Sequence, residues 1–379
     1  MARARGNRRA RPAEERVRYA VVGLGHIAQV AVLPAFRHAE RNSELVGLVS
    51  GSPRKRSALQ RKYEVPHAVD YDQYEDLLGS GDVDAVYIAL PNDLHYEYTM
   101  RALDLGVHVL CEKPLALSVG ECQDMIDAAR ERDVKLMTAY RLHYDEATLD
   151  AIKLVKSGRI GEPRFFSGQL TMPVTDEENI RLQQERGGGP IWDLGIYCIN
   201  AARAVFRDEP IAVQGMDAAA RDQRFREVPE MTFGLLRFPG ERLAMFGCSF
   251  GSADTSVYQI VGTEGALRVD PAFEYAEGLV HHLTLDGRSL RRRYPKRDQF
   301  GAELLDFSDC IVEDRQPEPS GVEGLADVRV IRALIQAAEE GRAITLPPFR
   351  RFRRPEPEQE IRLPPVRKPR EIDVRSPSG

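Results

Sequence analysis

The sequence is poor in the features that mark disulfide-rich, zinc-binding and membrane-spanning proteins. Its 379 residues include only five cysteines, an odd number without a CxxC pair, so neither a disulfide framework nor a zinc ribbon is expected. No run of about 20 apolar residues is present to span a bilayer. The eight histidines are scattered without ligand spacing, so no metal site is predicted. Together these absences favour a cytoplasmic protein.

Charge of one sign dominates only at the two ends of the chain. The net charge is -5, but residues 1–18 contain seven Arg and two Glu, and residues 346–379 contain nine basic and five acidic residues. The part between the two ends is therefore acidic. An acidic body argues against nucleic-acid binding, and no membrane partner is expected either. The basic ends are candidates for contact with the body of another subunit.

The first part of the chain alternates short apolar strand patterns with amphipathic helix patterns. Near-continuous apolar strands separated by helices are typical of a parallel sheet covered on both faces. We therefore predict an α/β Rossmann-like doubly wound parallel sheet. The predicted strands cover residues 17–23, 44–50, 83–90, 107–111 and 134–139, and the predicted helices cover 27–36, 53–63, 94–105 and 119–130.

The pattern changes after a predicted helix over residues 144–156. Longer alternating strands with Gly-containing turns follow, over 164–171 and 212–269, with helices over 190–206, 300–313 and 322–340. This predicts an α+β domain with a large open, mostly antiparallel sheet. The predicted divisions are a basic N-terminal arm (1–16), the Rossmann domain (17–142), the α+β domain (143–345) and a Pro/Arg-rich tail (346–379), which we expect to be extended or disordered on its own.

A glycine-rich segment lies between the first predicted strand and the first predicted helix. Gly23-Leu24-Gly25-His26-Ile27-Ala28 fits the G-x-G-x-x-G/A pattern. The first glycine permits a tight turn, and the second lets the backbone approach a pyrophosphate at the helix N-terminus. Because the motif has the strand and helix that the mechanism requires, it predicts a dinucleotide site.

The end of the second predicted strand indicates which nicotinamide cofactor binds. An NAD site usually has Asp or Glu there to bind the ribose 2′-hydroxyl. This chain instead has Ser50, followed shortly by Arg54 and Lys55, which suit a 2′-phosphate. We predict NADP in preference to NAD. The alternative is that the two cations are only a solvated first helical turn.

Two further segments carry candidate catalytic groups. Lys113 follows a buried strand at its carboxyl end, where open α/β sheets bind ligands, and its ammonium can stabilise a developing alkoxide. Asp193 and Tyr197 follow a glycine-rich loop and lie four residues apart on one helix face. A phenol beside a lysine is suited to accept a proton from a carbinol. The alternative is a surface lysine, a helix-terminal Asp and a half-buried core Tyr.

Four motifs together resemble the Gfo/Idh/MocA oxidoreductases. They are Gly23-x-Gly25-x-x-Ala28, Glu112-Lys113-Pro114, Ala139-Tyr140-Arg141 and the segment from Gly187 to Tyr197. The resemblance covers the chain from residue 18 to about residue 345. Most members of the family carry His at the position of Tyr197, whereas the glucose-fructose oxidoreductase branch carries Tyr, and it is this branch that the chain resembles most.

The resemblance implies roles for individual residues. Lys113 is expected to bind and polarise the sugar C1 oxygen, Tyr197 to exchange the C1 hydroxyl proton and Asp193 to orient sugar hydroxyls. Tyr140 is a further predicted substrate-binding residue. The predicted contacts with the cofactor are Gly23, Gly25, His26, Ile27, Ser50, Lys55, Pro91, Asn92, His95, Glu112, Arg141 and Arg181.

The function predicted from the resemblance is an NADP-dependent oxidoreductase that transfers hydride between C1 of an aldose and the nicotinamide, with a lactone as product. Reduction of a second sugar by the same bound cofactor is the finer form of this prediction. A dehydrogenase of another cyclic polyol or diol is the alternative, and a non-catalytic NADP-binding regulator is a third interpretation. The assembly expected is a homodimer or homotetramer formed through the C-terminal sheet.

Overall fold

The computed structural model describes residues 16–219, 222–351 and 353–374. It confirms the predicted fold class, because a six-stranded parallel sheet is followed by a nine-stranded, mostly antiparallel sheet. The predicted basic arm lies outside the described residues except for Arg16. Among the described residues, no helix is long and apolar enough to cross a membrane.

The strands of the first sheet are β1 (Val17–Val22), β2 (Ser43–Val49), β3 (His67–Val69), β4 (Ala85–Ile88), β5 (His108–Glu112) and β6 (Leu136–Ala139). Their order across the sheet is β3-β2-β1-β4-β5-β6. Since β1 pairs with both β2 and β4, the direction of winding reverses beside β1. A doubly wound sheet binds its ligand outside the carboxyl ends of the strands at this point.

Helices cover both faces of this sheet, as predicted. The helices of this part are α1 (Leu33–Ala39), which continues a helical turn over Ala28–Val32, α2 (Pro53–Tyr63), α3 (Tyr74–Gly79), α4 (His95–Asp104) and α5 (Val119–Glu131). Alternate residues of β1 enter two separate apolar cores, one with α4 and α5 and the other with α1. Burial on both faces explains why the strands are nearly continuous apolar runs.

The second sheet contains β7 (Pro163–Thr171), β8 (Ala212–Ala218), β9 (Met231–Phe238), β10 (Arg242–Ser249), β11 (Thr255–Gly262), β12 (Gly265–Val269), β13 (Val280–Leu285), β14 (Arg288–Arg293) and β15 (Ile344–Thr345). Their order is β14-β13-β12-β11-β7-β10-β9-β8-β15, and only β7 and β10 pair in parallel. The helices of this part are α6 (Glu146–Lys156), α7 (Ile196–Phe206), α8 (Gln299–Val312) and α9 (Gly321–Glu340). Helices α7 and α9 cover one face of the sheet.

Helix α8 connects the two parts of the molecule. Its apolar residues, among them Phe300, Leu304 and Phe307, belong to the core that also contains alternate residues of β1. The hydroxyl of Ser308 lies 2.7 Å from that of Tyr19 in β1. One face of the first sheet is therefore closed by a helix that comes almost 300 residues later in the chain.

A buried ionic cluster fixes the far end of α7. The Arg203 guanidinium is fully buried and contacts Glu209 at 2.7 Å, Glu323 at 2.8 Å and Asp327 at 2.5 Å. Although burial opposes it, the Asp327 and Glu209 carboxylates raise the pKa of Arg203 above its ordinary value. Arg203 belongs to α7, whereas Glu323 and Asp327 belong to α9. Separating the two helices would leave a buried charge without its partners, so the cluster favours their contact.

The Pro/Arg-rich tail lies against both parts of the molecule. Near its start, Arg354 contacts Glu209 at 3.0 Å. Farther along, the Ile361 N–H donates to the carbonyl of Tyr144. The described part of the tail contains one short helical turn, Pro357–Gln359, and ionic and backbone contacts hold it against the rest of the chain. The division at residue 346 stays a prediction.

Candidate functional site

A cleft of about 550 Å³ opens at the carboxyl ends of β1, β2, β4 and β5. Residues of β7 and the loop after β12 form its opposite wall. Among the residues that line it are all the predicted site residues except Tyr140: Gly23, Gly25, His26, Ile27, Ser50, Lys55, Pro91, Asn92, His95, Glu112, Lys113, Arg141, Arg181, Asp193 and Tyr197. Segments that are distant in the sequence thus meet in one place.

The glycine-rich loop has the geometry that a dinucleotide requires. Gly23 has a φ of 92°, and a Cβ there would lie 2.5 Å from the carbonyl oxygen of Ala89. A Cβ at Gly25 would meet no atom within 4 Å, so the backbone at this position is open to the cleft. Because a bare backbone at the start of a helix can approach a pyrophosphate closely, these residues fit the phosphates of a nicotinamide dinucleotide.

The end of β2 presents no carboxylate to the ribose. Ser50 and Lys55 line the cleft there, and the Ser52 side chain caps α2 by accepting from the Lys55 N–H at 3.3 Å. The nearby Asp70 carboxylate instead contacts Arg56 at 2.5 Å. The hydroxyl and ammonium groups left at the cleft suit the 2′-phosphate of NADP.

Lys113 and Asp193 form an ion pair in the part of the cleft nearest β5. Lys113 Nζ donates to Asp193 Oδ1 at 2.9 Å and to the Asp193 carbonyl at 2.8 Å. Arg181 Nε donates to the other carboxylate oxygen at 2.5 Å. Burial alone would raise the pKa of Asp193, but Arg181 and Lys113 hold it well below its ordinary value. Asp193 is therefore a carboxylate at neutral pH.

Burial acts on the lysine in the opposite sense. It would lower the pKa of Lys113, but the Asp193 carboxylate and then Tyr197 raise it above its ordinary value. Lys113 is therefore an ammonium group at neutral pH. Two of its three N–H donors are used by Asp193, so one remains for a ligand oxygen.

Tyr197 lies between two cations. Lys113 Nζ is 4.6 Å from the centre of its ring, and the Arg141 guanidinium carbon is 5.1 Å from it. Arg141 Nη2 also donates to the Tyr197 hydroxyl at 3.3 Å. Because Arg141 donates a hydrogen bond to the phenol oxygen and Lys113 lies over the ring, Tyr197 is placed to take part in proton transfer with a ligand.

Arg141 is itself held in place by groups that the sequence did not reveal. It is 6% exposed, donates to the Phe273 carbonyl at 2.6 Å and contacts the Gln299 side chain in α8. Its guanidinium carbon lies 5.2 Å from the centre of the Tyr275 ring. These residues come from distant parts of the chain and fit no short motif, so sequence reasoning had no signal for them.

A second group that sequence reasoning missed lies behind Glu112. Tyr87 donates to Glu112 Oε1 at 2.8 Å, and the fully buried Glu303 of α8 lies beside this pair. Burial raises the pKa of Glu112, and burial together with the Glu112 charge raises that of Glu303 well above its ordinary value. Only one of the two carboxyl groups is expected to ionise readily, because like charges this close repel each other.

Other predicted residues have structural partners at the rim of the cleft. The Asn92 amide donates to the Gly187 carbonyl at 2.9 Å and so ties the loop after β4 to the glycine-rich segment before Asp193. The ring nitrogens of His95 lie 2.7 Å from the Pro114 carbonyl and 2.9 Å from the Leu90 carbonyl. His95 is fully buried, and this burial lowers its pKa.

The structure does not place Tyr140 among the residues that line the cleft, and its role as a substrate-binding residue stays a prediction. Its side chain is 4% exposed, and its hydroxyl donates to Asp327 at 2.5 Å. Asn200 donates to the same carboxylate oxygen at 2.9 Å. The side chain of Tyr140 therefore belongs to the buried cluster around Arg203, whereas that of the next residue, Arg141, reaches the cleft.

Two protein-family models match this chain. One, described as an oxidoreductase family with an NAD-binding Rossmann fold, matches residues 17–140. The other, described as the GFO/IDH/MocA C-terminal domain, matches residues 148–268. Together the two matches cover more than half of the chain, and both end before the Pro/Arg-rich tail.

Individual proteins match over most of their length. The chain is 33% identical over 337 residues to D-xylose 1-dehydrogenase (NADP(+)) of Haloarcula marismortui, covering 87% of this chain and 93% of that protein. The crystal structure of aldose-aldose oxidoreductase from Caulobacter crescentus complexed with glycerol matches with a TM-score of 0.83 and 36% identity, covering 87% and 100% of the two chains. A 3-ketoreductase from Actinomadura kijaniata in complex with NADP and TDP-benzene matches with a TM-score of 0.78 and 27% identity, covering 85% and 98%.

Proposed function

This chain belongs to the Gfo/Idh/MocA family of NAD(P)-dependent oxidoreductases, and from that premise we propose that it oxidises an aldose at C1 with NADP as cofactor. The observation that carries the proposal is the contact of Lys113, Asp193 and Tyr197 in the cleft of the Rossmann sheet. A dinucleotide-binding regulator needs the glycine-rich loop but not this group, so an enzyme is favoured.

The chain's own residues account for binding and for proton movement. NADP, when bound, supplies the acceptor for the hydride that leaves the sugar carbon. The remaining N–H of Lys113 Nζ binds the C1 oxygen and stabilises negative charge on it. Tyr197, acting as the phenolate, takes the hydroxyl proton and becomes a neutral phenol, with Arg141 and Lys113 beside it. It passes this proton to solvent before the next turnover. The carboxylate of Asp193 keeps the ammonium in position and accepts from a sugar hydroxyl.

The choice of an aldose and of NADP has two supports. The names of two relatives, a xylose 1-dehydrogenase with NADP(+) and an aldose-aldose oxidoreductase, describe redox chemistry on aldoses, and the first name specifies position 1. In this chain, Ser50 and Lys55 stand where an NAD site would have a carboxylate. The second relative's name also favours a finer proposal, that the same bound cofactor is re-oxidised by a second aldose.

The test is the absorbance of the reduced nicotinamide after D-xylose or D-glucose is added to the purified protein with NADP. We expect reduction with the aldoses, little with a cyclic polyol such as inositol, and a lower dissociation constant for NADP than for NAD. Fructose or a second aldose added next should bleach the band if the reaction is coupled. Reduction by inositol alone would contradict the aldose assignment, and tighter binding of NAD would contradict the cofactor assignment.

We also propose that the open face of the second sheet binds a second copy of the chain. Along β9, Phe233 and Leu235 are 55% and 51% exposed, whereas the intervening Gly234 and the next residue Leu236 are buried beneath the helices. Met245 of β10 pairs with Leu235 and is also exposed. A continuous exposed apolar patch on a sheet is typical of a subunit interface, and a homodimer covers it.

Changing Leu235 to aspartate should therefore make the oligomer dissociate at this interface. A dimer would give monomers, and a tetramer would give smaller assemblies. A buried charge without a partner opposes association strongly. Molar mass measured by light scattering during gel filtration checks this. Leu290→Asp is the matched control, because Leu290 is 55% exposed on β14 at the opposite edge of the same sheet. An unchanged mass in Leu235→Asp, or an equal loss in both variants, would contradict this interface.

A further inference from the structure

The end of the described tail lies against the glycine-rich loop. After its contacts with the second part of the molecule, the tail reaches the first helical turn that follows β1. Its last described contacts are made by three consecutive residues, Glu371–Asp373, which we call the tail clasp. Residues from opposite ends of the chain thus meet beside the dinucleotide cleft.

Gln29 makes a reciprocal pair of hydrogen bonds with the tail clasp. Its side-chain amide donates to the Ile372 carbonyl at 2.9 Å, and its amide oxygen accepts from the Ile372 N–H at 2.8 Å. The same amide nitrogen donates to the Leu24 carbonyl at 3.0 Å. Gln29 is only 1% exposed, so its polar atoms need these partners. The tail backbone is therefore joined to the glycine-rich loop through one buried side chain.

Charged contacts flank this pair of hydrogen bonds. Glu371 Oε2 lies 2.7 Å from His26 Nδ1, and both side chains are less than one-fifth exposed. On the other side, Asp373 lies 3.9 Å from Arg54 in the first turn of α2. His26 lines the cleft, and Arg54 follows the strand end at which the 2′-phosphate is expected to bind. The acidic groups of the tail clasp thus contact His26 beside the glycine-rich loop and Arg54 beside the expected position of the 2′-phosphate.

The tail clasp also has an apolar side chain that packs against the core beside the cleft. Ile372 packs in the same core as Ile27 of the glycine-rich loop and Tyr275 of the loop after β12. Both of those residues line the cleft. None of the three tail-clasp residues lines the cleft, so the tail clasp packs beside residues of the cleft walls without taking the space that a dinucleotide needs.

We propose that the tail clasp is a positioning element of the dinucleotide site, which fixes His26 and the glycine-rich loop and so slows release of the cofactor. This inference rests on the proposed binding of NADP but not on the identity of the sugar. With Nδ1 held by Glu371, the ring orientation of His26 is fixed and Nε2 is the nitrogen left for a ligand. A loop that is already ordered loses less conformational entropy when a ligand binds.

The test is the rate at which bound NADPH leaves the full-length protein when excess NADP is mixed in, followed by nicotinamide fluorescence. We expect Glu371→Ala to raise this rate about tenfold, because the hydrogen bond that fixes the His26 ring is lost and the glycine-rich loop is less ordered around the cofactor. Glu371→Gln, which keeps an acceptor for His26, should recover most of the difference. Glu358→Ala is the matched control, since it removes the same charge from an exposed position of the same tail.

Thermal unfolding of the cofactor-free proteins separates positioning from general stability. We expect the melting temperatures of Glu371→Ala and Glu358→Ala to agree within about 2 °C. Equal release rates in wild type and Glu371→Ala would overturn the proposal, and so would a rate that rises equally in the Glu358→Ala control. If the wild-type protein binds no dinucleotide, the proposed function itself is contradicted before any variant is compared. If it binds NADPH but does not oxidise aldoses, the release rates can still be measured and this test still applies.

Discussion

Replacing Lys113 with methionine should lower turnover of an aldose by about 10³-fold while changing the dissociation constant for NADP by only a few-fold. Lys113 Nζ is the donor that we expect to bind the C1 oxygen, and methionine fills similar space without a charge. The change also leaves Arg181 as the remaining cation on the Asp193 carboxylate. Steady-state kcat and kcat/KM with the preferred aldose, together with NADP titration by fluorescence, measure both effects.

Two further lysine variants define what this result means. Lys153→Met serves as the control, because Lys153 is exposed on α6 and lies outside the cleft. Lys113→Arg keeps the charge but carries it on a planar guanidinium, so it should recover little activity if the position of the donor matters. Turnover of Lys113→Met within tenfold of wild type would show that the lysine does not bind the reacting oxygen.

Replacing Tyr197 with phenylalanine should lower turnover by about 10²-fold or more and leave NADP binding nearly intact. The variant keeps the ring between Lys113 and Arg141 but loses the oxygen that accepts from Arg141 Nη2. We expect the loss in kcat rather than in KM, because the phenol oxygen is needed when the proton moves. Initial rates over a range of aldose concentrations separate the two constants.

A second tyrosine provides the control for this prediction. Tyr96→Phe removes a hydroxyl from α4 whose partner, Asp124, lies 3.4 Å away in an exposed contact. This variant should keep wild-type turnover. If Tyr197→Phe also kept wild-type turnover, another group would have to take the proton and the proposed role of Tyr197 would be wrong.

The first sheet could be predicted well from the sequence, because the patterns that specify its strands and helices are local. Apolar strand runs, glycine positions and helix periodicity are set by neighbours in the chain, and helix α2 (Pro53–Tyr63) has the predicted bounds. The short strand β3 and the strand β14, which is exposed along its length and rich in arginine, were not predicted. Both strands lie at the edge of a sheet. Pairing with the adjacent strand keeps each segment extended, although its own sequence pattern resembles that of a loop.

The candidate site was predictable where one motif carries the chemistry. Lys113 and the pair Asp193 and Tyr197 were found from strand ends and helix spacing, and the structure brings them together, although their roles remain predictions. Arg141 lines the cleft and Tyr140 does not, because adjacent residues in a turn point in different directions, which a motif does not reveal. Glu303 could not be found, because its closeness to Glu112 arises only when α8 folds onto the first sheet.

The ionic cluster around Arg203 has a consequence for how the enzyme responds to heat. The cost of removing charged groups from water falls as temperature rises, whereas the stabilisation from apolar burial levels off. The contacts of Arg203 with Glu209, Glu323 and Asp327 should therefore retain their strength on warming better than the apolar packing around them. Since Arg203 and Tyr197 share helix α7, the proposed proton acceptor is on a helix held by contacts that warming should weaken less than the apolar packing around them.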